Sequence, residues 1–488
     1  MKTDERGHPI GATDTETNTD TGPDTGTHPA ADTDTGGRER TGRPHRRDLV
    51  AAAVGFALVT TAALVGWAIQ RSDGSLQVNW PPLLGTWDPR VGPGTPAALA
   101  VAVLIIAYGP GLAARLPWRA LLLTTWAAAL AWTFSLALVD GWHWGVARRL
   151  TTKNEYLTVI DRFSDIGATL RGFSDHIVIG PPGNWPAHVA GHPPGATLTF
   201  VWLDRIGLGG GSWAGVWCIV VGGSAVAAVL VTLRALTDER TARRAAPFLA
   251  LAPAAVWMGT SADGYFAGVA AWSLALLALA ATRTARFPAA ALGAGLLYGF
   301  TCYLSYGLTL MALPGLGVLL LARTARPLPL VLAGALVVPV AFTLVGFNWW
   351  EAYQELVVRY YQGAGGVRPY WYWIWGNLAA TTLAVGLATV AGLGRVFALA
   401  PRAVRSTRPA REPSTPLLRL AILVLAALLA ILAADLSGMS KAETERIWLP
   451  FMLWLIPATA LLPGRRRGWL AGQAIVALLV NHLVFTGW

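Results

Sequence analysis

Residues 115–140 read RLPWRALLLTTWAAALAWTFSLALVD. Arg115 and Arg119 open the stretch, a long apolar run follows, and Asp140 closes it. The run has about the 20 residues that a helix needs to cross a bilayer core. Basic residues flanking a span favour the cytoplasmic side, so the helix starts inside and delivers Asp140 to the outer face. An acid at that depth is costly unless it is functional or reaches the interface.

Similar runs lie at roughly 49–69, 95–115, 120–140, 212–234, 245–260, 264–283, 287–303, 305–323, 328–346, 376–395, 417–435, 447–463 and 469–487. The connections RLPWR (115–119), TDERTARR (237–244), ATRTAR (281–286), ARTARP (322–327), Arg395 to Arg419, and GRRR (464–467) are basic. With the N-terminus inside, about thirteen spans put every one of them in the cytoplasm. The net charge of +11 is therefore an orientation signal, and nucleic-acid binding is not needed to explain it. The chain is 54% hydrophobic and 13% charged, against about 25% charged in soluble domains. That excludes a soluble enzyme, a disordered chain and a disulfide scaffold. Cys218 and Cys302 sit inside apolar runs and read as packing residues. The expected fold class is all-α, a polytopic membrane protein whose partners include the membrane lipids.

Four regions follow. Residues 1–47, with TDTETNTDTGPDTGTHPAADTDTGG, cannot bury enough apolar surface to offset ordering entropy and read as a disordered cytoplasmic tail. Residues 48–119 hold two spans. Residues 120–346 form the central transmembrane module, with a large outer loop at 141–194. Residues 347–488 hold an aromatic outer loop and the C-terminal spans. GATLTFVWLDRIGLGGG (195–211) is too short to cross and carries Asp204 and Arg205. We expect a short or re-entrant helix there with both ends outside, buried against protein.

The outer loops carry the chemistry. In NEYLTVIDRF, Tyr156, Leu157, Ile160 and Phe163 recur at helical spacing, which predicts an amphipathic helix on the membrane surface. A second short helix is expected from Leu170 to Ile177. The loop at 347–375 is rich in Trp and Tyr. It reads either as an interfacial belt or as a rim whose flat rings stack on sugars. Asp140 is the first candidate for a general base that deprotonates an acceptor hydroxyl; Asp88, in WDPRVGPGTP, is the second, although its neighbours also suit a turn. His192 opens HPPG (192–195) and is held at a helix mouth suited to anions. In SGMSKAETERIWLPF, Lys441, Glu443, Glu445 and Arg446 lie on the outer face. They either grip a phosphate or pair among themselves. Asp263 in TSADGYF and Tyr303, Ser305 and Tyr306 in CYLSYG line a cavity or cap helices.

The order of these features resembles the GT-C superfamily of membrane glycosyltransferases. It is most similar to the branch with the protein O-mannosyltransferases, the aminoarabinose transferase of lipid A and their actinobacterial relatives. Asp140 leaves a span, NEYLTVIDRF follows in a long outer loop, and HPPG begins the next helix. LRALTDERTARR then ends a span, and SADGYF forms an outer turn. The likeness covers about 120–330, and 440–455 through ERIWLPF. It implies transfer of a sugar, with inversion, from a polyprenyl-phosphate donor to a glycan, lipid or protein acceptor on the outer face of the plasma membrane. Carried over, Asp140 is the base, Glu155 and His192 shape the donor or acceptor site, and Arg446 binds phosphate. The likeness departs from the family's pattern in the two spans that precede the module and in Gly141 after Asp140, so Asp88 stays open as the base. Some members of the superfamily use a divalent metal, and no ligand cluster here demands one.

Two other classes compete. A transporter or flippase of lipid-linked sugars predicts charges at mid-membrane and an internal repeat; the sequence shows no repeat, and its acids cluster at outer span ends. A non-catalytic partner in envelope assembly would keep the fold without needing Asp140.

Overall fold

The computed structural model describes residues 43–180, 182–284, 286–406, 415–463 and 466–486. Most of the expected tail, residues 1–42, lies outside them. Among the described residues, nine helices are long and apolar enough to cross a membrane. They are Arg46–Ser72, Thr95–Arg115, Trp118–Asp140, Gly211–Leu236, Ala262–Thr282, Phe287–Leu304, Leu328–Val345, Leu387–Ser406 and Pro416–Leu436. The chain is an all-α, multi-pass membrane protein. Its only β-pairing among the described residues joins Thr86–Trp87 to Val484–Phe485, antiparallel, and an isolated bridge joins Trp80 to Leu83.

Of the other expected spans, 469–487 is one unbroken helix, Arg466–Leu483, that is not among these nine, and four depart from a single long helix. The stretch 245–260 is divided between a helix Glu239–Ala250 and a single turn Ala255–Met258. The stretch 305–323 is a 3-10 turn, Tyr306–Met311, leading into a helix Ala312–Ala322. The stretch 447–463 is broken into Leu449–Met452 and a 3-10 turn, Ile456–Leu461. The physical reason is placement. The stretches 245–260 and 447–463 are almost wholly buried, and irregular backbone is tolerated at membrane depth only against protein; 305–323 keeps exposed Leu316 and Leu320. The freed carbonyls find protein donors: Trp132 Nε1 donates to Ala252 O at 3.2 Å, and Arg244 Nη2 to Leu462 O at 2.9 Å. The expected span 376–395 divides at Gly386 (φ +78°), between helices Tyr370–Val385 and Leu387–Ser406. The short segment after HPPG is a helix of 11 residues, Gly195–Arg205.

Small residues let the central helices touch. A Cβ at Gly268 of the Ala262–Thr282 helix would lie 2.3 Å from Val221 O, and one at Gly222 would lie 2.7 Å from Gly264 O. Gly264 and Gly268 are four apart, the spacing by which backbones approach closely in membranes. Hydrogen bonds gather several basic connections at one end of the bundle. Arg243 Nη1 donates to Ala113 O and Leu116 O, Arg419 Nη1 to Leu236 O, and Arg467 Nη2 to Ala107 O. Asp48, buried, is gripped by Arg395 through Nε and Nη2 at 2.7 and 2.8 Å, which ties the first long helix to Leu387–Ser406. Asp140 and Asp263 sit at the opposite end, where one long helix finishes and another starts.

Gly268→Ala should lower the thermal midpoint of the detergent-solubilised protein. The added methyl must push two backbones apart, an overpacking cost of about 1–3 kcal/mol. Gly472→Ala, with nothing within 4 Å of the added Cβ, should leave the midpoint unchanged or raise it slightly. Equal effects of the two substitutions would show that the close crossing carries no stability.

Candidate functional site

Asp140 sits in a 3-10 turn that ends the third long helix, and Gly141 (φ +71°) turns the chain sharply after it. A π-helical turn at His143–Ala147 follows, a geometry frequent at functional sites. The reversal returns Arg149 to the acid: Arg149 Nη2 donates to Asp140 Oδ2 at 2.7 Å. Arg90 Nε donates to Asp140 Oδ1 at 2.5 Å. Arg90 reaches that position because its loop is pinned to the end of the Arg466–Leu483 helix, with Asp88 N on Leu483 O and Arg90 N on His482 O. Two guanidinium groups therefore share one carboxylate. Burial pulls Arg149 below the usual guanidinium range, Asp140 opposes that, and Arg90 adds to it.

A second cluster adjoins the first. His188, on the single turn Ala187–Ala190, donates from Nδ1 to Glu155 Oε1 at 2.7 Å. Its Nε2 lies 3.4 Å from Arg446 Nη2, so the pattern assigns the ring proton to Nδ1. Glu155 is buried, and its Oε2 has no hydrogen-bond partner. Arg446, 5% exposed, binds Asp263 through Nη1 and Glu443 Oε2 through Nη2 at 2.8 Å. Burial lowers its pKa, but Asp263, Glu443 and Glu155 outweigh burial and hold it above the ordinary value. Glu443 is likewise kept below the carboxylate range: burial raises it, and Arg446, Arg368 and His188 together lower it further. Arg149, Glu155, Tyr156, His188, Ser261 and Arg446 are among the residues lining one small cavity. It leaves about 10 Å³ for the centre of a water molecule, close to the space of a single water.

His192 supports this wall. Its Nδ1 lies 2.7 Å from His188 O and 3.1 Å from the Tyr156 hydroxyl. Burial is the first cause that pulls His192 down to about 4, and burial also raises Tyr156 well above its usual value. HPPG leads straight into the short helix: a Cβ at Gly195 would lie 2.5 Å from Tyr303 O, so only glycine lets that helix start against the Phe287–Leu304 helix.

The structure brings together Asp140, Glu155, His192, Asp263 and Arg446. It does not bring in Lys441, whose Nζ donates to Gly365 O at 2.8 Å. Glu445 is fully buried and faces the other way, accepting from Leu84 N at 3.3 Å while its Oε2 has no partner. Tyr306 packs against Trp349 and Tyr353. Asp88 is exposed and touches the cluster only through its carbonyl, which accepts from Arg90 Nη1 at 3.2 Å. The expected surface helix at Tyr156 is a 3-10 helix, Tyr156–Phe163. Its apolar side chains Tyr156 and Phe163 are buried in the core rather than laid on a membrane. The second short helix expected from Leu170 to Ile177 is displaced: a helix Ile166–Arg171 is followed by a 3-10 turn, Ser174–His176.

Sequence reasoning missed Arg90, Arg149 and His188. Arg149 was visible as a positive charge outside, nine residues after Asp140, and His188 as the first of two histidines four apart in HVAGH. Separately, Tyr298, Tyr303, Leu336, Phe347, Trp349 and Trp350 help line an open groove of about 640 Å³. The aromatic segment is mostly helical, Trp349–Gln362 and Tyr370–Val385.

No protein-family model and no curated protein matches this chain. Solved structures to which the chain shows similarity include the Archaeoglobus fulgidus oligosaccharyltransferase. Its complex with Zn and sulfate has a TM-score of 0.42 and 15% identity over 75% of this chain and 53% of that one. Its apo form has a TM-score of 0.44 and 14% identity over 75% and 56%. ArnT from Cupriavidus metallidurans, bound to undecaprenyl phosphate, has a TM-score of 0.38 and 15% identity over 62% and 60%. This chain spans about half the length of the oligosaccharyltransferase. No residue here takes a role from these likenesses. Among the described residues, no group of three or more His, Cys, Asp and Glu is arranged to hold a metal ion. Asp140, Asp263 and Glu443 are already matched by guanidinium groups, so these three carboxylates are not free to ligate a divalent metal.

Two buried groups give opposite pH signatures. Burial is the first cause that pushes Glu445 up to about 7. The folded state thus holds a proton that the unfolded chain releases near 4.5, and stability falls as pH rises from about 4.5 to 7. His192 resists protonation, so its contribution is present above about 6.5 and is lost as pH falls toward 4. Glu445→Gln should flatten the upper part of the stability profile, and His192→Gln the lower, in thermal unfolding from pH 4 to 8. A profile unchanged by Glu445→Gln would rule out a protonated carboxyl at this position.

Proposed function

We propose that the protein is a membrane glycosyltransferase that moves a sugar from a polyprenyl-phosphate donor to a glycan, lipid or protein acceptor on the extracytoplasmic face of the plasma membrane. One observation carries the reading: Arg90 and Arg149 share the single carboxylate of Asp140 beside a buried cavity. Two cations against one anion leave a surplus positive charge next to a carboxylate. Glycosyl transfer from a phosphate needs that pairing, a cation for the leaving phosphate and an oxygen base for the incoming hydroxyl.

In this reading the acceptor oxygen attacks the anomeric carbon as its proton passes to Asp140. The bond from carbon to phosphate oxygen breaks, and its electron pair leaves with the lipid phosphate, which Arg149 and Arg90 hold. Arg446 is offset by Asp263 and Glu443, so it organises the wall and gives a phosphate less net charge than Arg149 does. The open apolar groove at Tyr303 and Trp349 suits a prenyl chain.

A second assignment of the base has its own support. Glu155 Oε2 borders the cavity and is unpartnered, whereas both oxygens of Asp140 accept from arginines. Glu155, oriented by His188, is the alternative base.

Purified protein in nanodiscs, given a radiolabelled polyprenyl-phosphate sugar and membrane acceptors, should transfer label. Asp140→Asn should lower kcat by about 10²–10⁴, the usual worth of general-base catalysis. Arg149→Gln should raise KM for the donor. Loss of turnover in Glu155→Gln with activity kept in Asp140→Asn would move the base to Glu155. Full activity in both variants would overturn the proposal.

A further inference from the structure

The opposite end of the bundle holds a second concentration of cations that the proposed reaction does not use. Arg240, Arg243, Arg244 and Arg466 line a cavity of about 400 Å³, walled on one side by Pro110 and Ala114 of the Thr95–Arg115 helix and including Glu239. The carboxylates there are committed. Glu239 Oε1 accepts from Arg243 Nε and Nη2 at 2.8 and 2.5 Å, and its Oε2 pairs with Arg234 at 3.0 Å. Asp238 caps its helix by accepting from Thr241 N at 2.6 Å. Arg243 spends its remaining nitrogen on Ala113 O and Leu116 O.

Three guanidinium groups remain. Arg244 makes one bond, to Leu462 O, and its Nε is buried without a partner. Among the described residues, neither Arg240 nor Arg466 forms an ion pair. Like charges brought together repel, and a fold that gathers them around a cavity while their neighbouring acids are engaged elsewhere is stabilised by an anion. Forked donors match phosphate oxygens in particular. A volume of 400 Å³ lies within the range of about 300–1,000 Å³ for small-molecule sites.

We infer that this cavity binds a phosphate group through Arg240, Arg244 and Arg466. Its place at the basic ends of membrane-length helices makes the headgroup of an anionic phospholipid one source, since basic pockets between helices at that level hold such headgroups. Free phosphate is the other source with the same chemistry. The site lies at the far end of the helices from Asp140, and it does not depend on the proposed transfer reaction.

The test uses full-length protein in phosphatidylcholine nanodiscs, with phosphatidylglycerol or inorganic phosphate added in separate arms. Thermal midpoint and native mass spectrometry are the readouts. Phosphatidylglycerol should raise the midpoint and appear as a retained adduct. The double variant Arg240→Gln with Arg466→Gln should weaken that retention about tenfold, while Arg240→Lys, which keeps the charge, should retain most of it. Lys441→Gln, away from both sites, should bind the lipid as the parent does. An equal shift with inorganic phosphate alone supports the phosphate site and makes free phosphate its source. No shift with either probe, or equal retention by parent and double variant, overturns the inference.

Discussion

A charged guanidinium that is 5% exposed must find carboxylates or the fold does not close around it, and Arg446 is that group. Taking such an ion out of water costs several kcal/mol unless partners compensate. Asp263 comes from the start of the Ala262–Thr282 helix, Glu443 from the turn just before Arg446, and His188 from the long loop. Satisfying one arginine thus fixes three distant pieces of chain against each other. Glu155 is then placed by His188, and Tyr156 by His192. The Arg90–Asp140–Arg149 group rests on the outside of this wall, and Arg149 is the side chain that reaches into the cavity.

That wall needs a rigid base. The crossing at Gly222, Gly264 and Gly268 brings two backbones into contact directly below Asp263. Asp263 is therefore presented from a closely packed helix start, with Ser261 capping it by accepting from Gly264 N. The broken segments after Ala250 and before Leu462 bring carbonyls into the interior, and tryptophan and arginine side chains satisfy them. Their irregularity is what lets loop-like backbone line a site at the end of a helical bundle.

The long helices were legible because lipid solvation leaves a coarse signal, runs of apolar residues flanked by arginine, and because the basic connections agree with one another. The interrupted spans were not. Apolar composition is the same for a lipid-facing helix and for a segment wrapped in protein, and only burial separates the two. The same ambiguity affected Tyr156–Phe163, whose apolar spacing suits a membrane surface and a protein core equally well. In the site, Asp140, Glu155, Asp263 and Arg446 stood out as charges in unusual places. The partners that give them meaning lie far away in sequence, Arg90 50 residues from Asp140 and Asp263 183 residues from Arg446. Such pairings are set by tertiary packing, which spacing along the chain does not encode. Lys441 and Glu445 share the local pattern of Arg446 but face other neighbours: Glu445 is the adjacent residue, about 100° round the helical turn, and Lys441 precedes the turn Thr444–Ile447 across the left-handed residues Ala442 and Glu443.

The central claim is that the paired guanidinium groups on Asp140 hold the phosphate of a lipid-linked donor. Its most direct measurement is the affinity of a short-chain polyprenyl phosphate for the nanodisc-embedded protein, by native mass spectrometry, in the parent and in Arg149→Gln and Arg90→Gln. The account predicts saturable binding by the parent and a loss of about tenfold or more in each variant, with the fold retained by thermal unfolding. Binding of equal strength in all three proteins would contradict it.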